Sequence, residues 1–377
     1  MTRLIRYRLL GVMLIGVCIL SLLQGCIHQK NIVDVEQNHI PEELQQSIPE
    51  LVTTPSIDEP VIEEEPEPEP EPVEITISFA GDTTIGYDDS RGYEWSFAQE
   101  VERQGDYGYF FRNIKDIFEK DDLTLVNLET TLTTATERAD KTFCFKGDPE
   151  WVNILLEGSV EAVNISNNHI YDYLEQGFND TIKVLEDAGI LYSGEGHVAR
   201  FEIKGVKISS LGFTGWGTWD KERIGEKIRQ EAEEADIVIV SFHWGKERSH
   251  YPNKVQMELG RWSIDNGASV VVGHHPHVIQ GIEKYKDRYI VYSLANWSFG
   301  GNRNPKYKDT FIFQNTFKVV PEEGVKESQG NIIPCSISSA NERNNYQPTP
   351  LEGEEKERVL QDIYKFSEIL EYGITRE

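Results

Sequence analysis

An α/β fold is what this sequence predicts, on three observations. From Glu74 onward, short β-branched runs alternate with amphipathic stretches, the pattern of strands and helices in a layered α/β domain. Polar groups suited to chemistry fall directly after the apolar runs, and in parallel α/β sheets the carboxyl ends of the strands share one edge. With 38% hydrophobic and 10% aromatic residues overall, the chain beyond residue 76 can bury a sizeable core.

In chain order, strands are expected at 74–80, 123–126, 160–165, 206–213, 236–242, 269–272, 289–293 and 310–319, where β-branched and aromatic residues cluster between turn formers. Helices are expected at 151–157, 173–188, 221–235 and 253–266. Apolar residues recur at three-to-four spacing around Thr181 to Leu185 and around Val255 to Trp262. A last helix, 354–371, puts Val359, Leu360, Ile363, Phe366, Ile369 and Leu370 on one face. Its expected role is to cap the domain. The folded body should therefore cover 75–335, followed by a polar linker and an amphipathic helix over 336–377.

The N-terminal part reads differently. Arg3, Arg6 and Arg8 precede an uncharged apolar run from Leu9 to Leu23, too short for a comfortable bilayer span of about 20 residues and suited to a signal-peptide core. The run closes in Leu23-Gln24-Gly25-Cys26, which resembles a bacterial lipobox in which Cys26 becomes lipidated. An uncleaved anchor helix is the other reading, and both place the body outside the cytoplasmic membrane. Residues 27–74 then form an acidic Pro/Glu-rich tether, closing in Glu63-Glu64-Glu65-Pro66-Glu67-Pro68-Glu69-Pro70-Glu71-Pro72. Alternating Pro forbids helix and the carboxylates repel, so an extended spacer is expected. Of the four Cys, Cys18 lies in the signal core and Cys26 is consumed by lipidation. A Cys144–Cys335 disulfide remains open, but two buried small hydrophobes is the simpler expectation. The net charge of −27 argues against a nucleic-acid binder, which needs a cationic surface to displace counterions.

Five segments carry the candidate chemistry: Gly81-Asp82-Thr83-Thr84, Asn127-Leu128-Glu129, Asn167-Asn168-His169 with Asp172, His243-Trp244-Gly245 with Glu247, and Gly273-His274-His275-Pro276-His277. Asp, Glu, Asn and His from five strand ends make up the ligand inventory of a divalent-metal site. Singly, Asp82 also reads as a turn residue or helix cap, Asn127 and Glu129 as a solvated loop, and His243 as a core histidine. Three histidines around Pro276 have no packing purpose.

These motifs in this order, followed by Tyr292-Ser293-Leu294-Ala295-Asn296-Trp297-Ser298-Phe299, resemble the CapA/PgsA family of bacterial poly-γ-glutamate capsule proteins, which is similar to the calcineurin-like metallophosphoesterases. The resemblance covers about residues 75–320. It implies a four-layer α/β/β/α sandwich with the site at the strand carboxyl ends. It further implies metal binding by Asp82, Asn127, Glu129, Asn168, His243, His275 and His277. His169 would be the proton donor to a leaving oxygen and Asp172 the carboxylate orienting it. One or two divalent ions, Mn, Zn, Mg or Fe, are implied as cofactors. Phosphoesterases carry a histidine two residues after the first Asp, where this chain has Thr84; that departure weakens one metal position.

Two classes of function follow. The centre either hydrolyses a phosphoester or a γ-glutamyl amide, or it binds carboxylates of an anionic polymer as part of an accessory subunit. The expected partners are the membrane through Cys26, poly-γ-glutamate or another anionic polymer, and membrane subunits of a capsule synthase. Arg248, Lys254, Lys284, Lys286, Arg303, Lys306 and Lys308 follow the histidine motifs and are expected to make the rim less acidic than the whole.

Overall fold

The computed structural model describes residues 71–376. The signal-like run, Cys18, the lipobox with Cys26 and the tether up to residue 70 lie outside the described residues. Strands run at Val73–Thr84 (β1), Leu123–Leu128 (β2), Thr131–Leu132 (β3), Lys146–Gly147 (β4), Ala162–Asn164 (β5), Leu191–Ser193 (β6), Val198–Ile203 (β7) and Val206–Gly215 (β8). They continue at Ile237–Trp244 (β9), Val270–His274 (β10), Ile282–Tyr285 (β11), Arg288–Val291 (β12), Asn296–Phe299 (β13), Asp309–Val320 (β14), Gly324–Ser336 (β15) and Thr349–Pro350 (β16). The helices are Phe97–Gln104 (α1), Lys115–Phe118 (α2), Val152–Glu157 (α3), Leu174–Ala188 (α4), Lys221–Ala232 (α5), Lys254–Asp265 (α6) and Gly353–Ser367 (α7).

Two mixed sheets form. One has the order β16-β15-β14-β1-β2-β5-β6 with β13 pairing onto β1, and the other the order β11-β12-β10-β9-β8-β7. Pairing is parallel along β1-β2-β5-β6 and along β8-β9-β10-β12. Parallel strands buried on both faces read as continuous apolar runs, and the side chains alternate accordingly. Ile75, Ile77, Phe79, Leu123 and Leu125 meet Ile208, Ile237, Ile239, Val270 and Val272 of the other sheet. On the reverse face of the first sheet, Val126, Leu128 and Val163 pack on Ile154, Leu155 and Leu185 of α3 and α4. On the reverse face of the second, Val238, Val240 and Phe242 pack on Ile224, Ile228, Leu259 and Ile264 of α5 and α6. The layers are thus α/β/β/α, as expected. Each fully buried Ile, Val, Leu or Phe contributes about 1.5–3 kcal/mol, so this inter-sheet core fixes how the two rows of strand ends face each other.

Within 336–352 the structure differs from the expected polar linker. These residues are not a linker, because β15 runs to Ser336, β16 pairs with Cys335 and Ser336, and Asn344, Asn345 and Tyr346 are buried. Helix α7 seats Val359, Ile363 and Phe366 in the core between the sheets, while its Ser367 hydroxyl accepts the Ile282 N–H at 2.9 Å. Leu360 is only half-buried and Ile369 is 60% exposed, so the buried stripe is narrower than the sequence implied. The second strand of the long hairpin, β15, is half-exposed and polar; it exists because β14 offers a ladder from Asp309 to Val320. Cys144 and Cys335 are both buried free thiols. Among the described residues no helix is long and apolar enough to cross a membrane.

Candidate metal centre

Strand register aligns the polar residues before any side-chain contact is considered. Asp82 on β1 stands beside Asn127 on β2, Asn127 beside Asn164 on β5, and His243 on β9 beside His274 on β10. Both sheets then close on the stretch from Tyr292 to Asn296. A Cβ at Gly81 would lie 2.1 Å from the Ala295 carbonyl oxygen, and one at Gly273 would lie 2.1 Å from that of Tyr292. Only glycine permits these approaches. They bring the Asp82 N–H to the Ala295 carbonyl at 2.8 Å and the Leu294 N–H to the Gly273 carbonyl at 3.1 Å. The histidine turn itself is strained, with φ of 94° at His275 and 57° at His277. Such backbone costs of order 1–3 kcal/mol per residue and persists where its surroundings over-determine it. Here the His275 N–H donates to Asp82 Oδ2 at 3.2 Å, and the Arg248 N–H donates to the Pro276 carbonyl at 2.8 Å.

At the centre stands Glu129, fully buried, with neither carboxylate oxygen accepting a hydrogen bond. Its Oε1 lies 3.6 Å from His243 Nε2, 3.9 Å from His277 Nε2 and 4.0 Å from His169 Nε2. His275 Nδ1 is 3.1 Å from His243 Nε2. His277 Nδ1 lies 2.8 Å from Asn296 Oδ1 and 3.1 Å from Asp82 Oδ2. Two three-donor sets share Glu129: Asp82 with Glu129 and His277, and Glu129 with His243 and His275, each within 4.8 Å.

The electrostatics describe a site short of positive charge. Burial, reinforced by Asp82, pushes the Glu129 carboxyl well above its ordinary range. Burial would do the same to Asp82, but the hydrogen bond and charge of His277 reverse it and hold this carboxyl low. Burial lowers His243 strongly and brings His274 and His275 to about 4, so these imidazoles are neutral and fit to ligate. For His277 burial is outweighed by Glu129 and Asp82, which raise it to about 9. A buried carboxylate without a donor is expensive, and native structures rarely leave one unexplained. A divalent cation between Glu129 and the neutral imidazoles would supply the missing partner, and mixed carboxylate and imidazole donors are of the kind that can hold one.

Beside this cluster, His169 Nδ1 lies 2.7 Å from Asp172 Oδ2. The same carboxylate accepts the Phe145 N–H at 2.5 Å and Lys141 Nζ at 2.7 Å. Phe145 also packs its ring on that of His169, with centroids 4.4 Å apart. The imidazole is therefore held with Nε2 toward Glu129. Burial lowers the His169 pKa, with Asp172 opposing and Lys141 adding to the lowering.

Of the expected ligands, Asp82, Glu129, His243, His275 and His277 come together. Asn127 touches the cluster through its amide nitrogen, 3.4 Å from His243 Nδ1, but turns its oxygen away from it, and Asn168 stays outside. Asn127 is committed on both sides of its amide: Nδ2 donates to Asp82 Oδ1 at 2.8 Å, and Oδ1 accepts Asn164 Nδ2 at 2.8 Å. It therefore positions Asp82. Asn168 is exposed, and its neighbour Asn167 is the residue turned inward, donating to the Leu128 carbonyl at 2.8 Å. The basic rim is also only partly realised. Arg248 borders the histidine turn, but Lys284 and Lys286 lie at the β11–β12 hairpin, which pairs with the amino end of β10. There Lys286 and Arg288 line a cleft of about 600 Å³ with Asp236 and Glu322, at the opposite edge of the sheet from the histidines.

Several residues of the site carried no assigned role in the sequence. His274 is fully buried with both ring nitrogens unpartnered and Nδ1 3.5 Å from Asp82 Oδ1. Asn296 orients His277, Lys141 pairs with Asp172, and the half-exposed Trp216 sets its ring edge-on to His275 at 4.8 Å. Asn296 and His274 sit within conspicuous motifs; Lys141 and Trp216 give no local signal.

The profile of the family described as bacterial capsule synthesis protein PGA_cap matches residues 76–300. The chain is 30% identical over 249 residues to the PGA biosynthesis protein CapA of Bacillus subtilis (strain 168), which covers 60% of this chain and 63% of that one. It is 29% identical over 254 residues to the capsule biosynthesis protein CapA of Bacillus anthracis, covering 60% of each. The match thus spans less than two thirds of these curated relatives. Solved structures with a similar course include a hypothetical protein of Thermus thermophilus, 16% identical, covering 69% of this chain and 99% of that one with a TM-score of 0.43. Another is a 5'-nucleotidase from Candida albicans, 11% identical, covering 80% and 58% with a TM-score of 0.39. The family profile takes in every residue of this candidate cluster and most of the folded body, and on that match the chain belongs to the PGA_cap family of bacterial capsule synthesis proteins.

Proposed function

We propose that this protein is a lipid-anchored, extracytoplasmic component of poly-γ-glutamate capsule biosynthesis, export or retention, working through a divalent-metal centre held by Asp82, Glu129, His243, His275 and His277. The observation that carries the reading is Glu129, a buried carboxylate with both oxygens unpartnered among imidazole nitrogens. The polymer is suggested by relatives named for PGA and capsule biosynthesis. Attachment through Cys26 rests on Leu23-Gln24-Gly25-Cys26, and membrane subunits of a synthase are the natural partners of a body tethered there.

A bound ion would act as a Lewis acid toward a phosphoryl or amide oxygen and lower the pKa of a water. The chain's own residues supply the rest. Asp172 would accept the Nδ1–H of His169, leaving Nε2 directed at the cluster to take a proton from the attacking water and pass it on to a leaving oxygen or nitrogen. This geometry favours a second reading, in which the protein is itself a hydrolase of a phosphoester or a γ-glutamyl amide. Thr84, in place of a ligand histidine, favours the accessory reading.

The test is metal analysis of the purified protein together with hydrolysis assays on a phosphodiester and on polyglutamate. A protein that carries no divalent metal and takes up none overturns the metal-centre reading. Fatty-acid labelling tests the anchor, and label retained by Cys26→Ala overturns lipidation.

A further inference from the structure

Resting on the metal-centre reading, we propose that Glu247 is a further ligand of that centre, completing it where the sequence offers Thr84 instead of an imidazole. Each set around Glu129 supplies three protein donors, fewer than the four to six that a transition-metal ion takes from protein and solvent. The residues expected to complete them are otherwise engaged: Asn127 by Asp82 and Asn164, Asn168 by its outward orientation. Thr84 is fully buried with its hydroxyl unpartnered, and a neutral hydroxyl is a poor substitute for an imidazole. Glu247 forms a third donor set, its carboxylate within 4.8 Å of ligand nitrogens of His275 and His277.

This placement is fixed by the backbone on both sides of Glu247. Strand β9 is followed by Gly245, with φ of 84°, where a Cβ would meet Gln256 Oε1 at 2.6 Å. Gln256 completes the capping box of α6 with Asn253 and donates to Gln280 Oε1 at 2.8 Å. Beyond Glu247, the Arg248 N–H holds the Pro276 carbonyl at 2.8 Å, and the Ser249 carbonyl accepts Gln280 Nε2 at 2.7 Å. The 245–249 turn is thus latched onto the histidine turn, and the one exposed carboxylate between the latches faces His275 and His277. Charge points the same way. Asp82 and Glu129 alone leave a two-ion centre with two uncompensated positive charges in a buried site, and a third carboxylate halves that excess.

The experiment is calorimetric titration of Mn²⁺ into the metal-free full chain, its Glu247→Gln and Glu129→Gln variants, and Glu195→Gln as a control for general charge, since Glu195 is an exposed acid bonded to Ser166 and Tyr171. Loss of a ligand is expected to weaken at least one Mn²⁺ equivalent by about tenfold or more, the scale that even outer-shell partners command. The control should change affinity by less than about threefold, as a screened surface charge does. Glu247 is exposed, so Glu247→Gln should melt like the parent when metal-free. If Glu247→Gln binds Mn²⁺ like the parent, or loses no more than Glu195→Gln, the Glu247 assignment fails while the metal centre stands. If the parent binds no Mn²⁺, the centre itself falls and Glu247 with it. Glu129→Gln separates the two, since it should abolish binding whichever way Glu247 behaves.

Discussion

Lys141 and His169 share one carboxylate: Asp172 accepts Lys141 Nζ through Oδ1 and faces His169 Nδ1 through Oδ2, both at 2.7 Å. Asp172 is fully buried, so its charge is balanced by the ammonium while its second oxygen fixes the imidazole. The pair separates orientation of His169 from the metal ligation proposed for Glu129, His243, His275 and His277, which makes the two separable by mutation.

His169→Ala should leave metal content and fold in place. If the centre is hydrolytic, the variant loses roughly 10²–10⁴ in rate, the usual contribution of a positioned general acid, and capsule production falls with it. Under the accessory reading capsule production survives His169→Ala and is lost only in His275→Ala, which removes a ligand. Metal analysis and capsule yield measured on the two variants decide between them.

Glu129→Gln should separate the two roles of that carboxylate. Metal binding is lost, so the rise in Tm that excess Mn²⁺ produces by binding the native state alone disappears. The metal-free variant, however, should melt close to the metal-free parent, because burial and Asp82 already push the metal-free carboxyl toward its neutral form, which a neutral amide matches in size and charge. Thermal melts with and without chelator check both statements, and a metal-free variant several degrees less stable than the parent contradicts the second.

Helix α7 gives a test of the layer architecture. Ile363 is fully buried between the sheets and Ile369 is 60% exposed. Ile363→Ala should therefore cost about 2–5 kcal/mol in urea unfolding, whereas Ile369→Ala should stay within about 0.5 kcal/mol.

What the sequence made legible follows from how each signal arises. The apolar runs of β1, β8, β9 and β10 announced themselves because parallel strands are buried on both faces, and the ligand motifs stood out because they follow those runs directly. Runs gave no sign of β15, whose half-exposed residues are ordered by pairing with β14. Helix α1, Phe97–Gln104, buries only Phe97 and Glu100 and offers too few apolar residues to show a period. Within the site, residue type and order located the cluster, but choosing between Asn167 and Asn168 required the backbone of the turn. Lys141 was invisible because it reaches Asp172 across 31 residues from a loop with no motif of its own.

A last prediction concerns pH and lies away from the metal. Asp121, just before β2, is raised to about 7, chiefly by burial and against hydrogen bonds from Ser78 and Thr124, with Glu161 and Asp122 adding to the rise. The sign follows from linkage. Between the ordinary aspartate value near 4 and about 7 the native state holds a proton that the unfolded chain has released, so this group subtracts stability as pH rises through that window and is neutral below it. Asp121→Asn keeps an oxygen to accept the Thr124 hydroxyl, which now lies 2.9 Å from Asp121 Oδ2, and removes the charge. The variant should match the parent near pH 4, gain on it steadily up to about pH 7, and hold a constant advantage above that. Melting curves of the two proteins across this range measure the gap directly, and a gap that shrinks as pH rises contradicts the assignment.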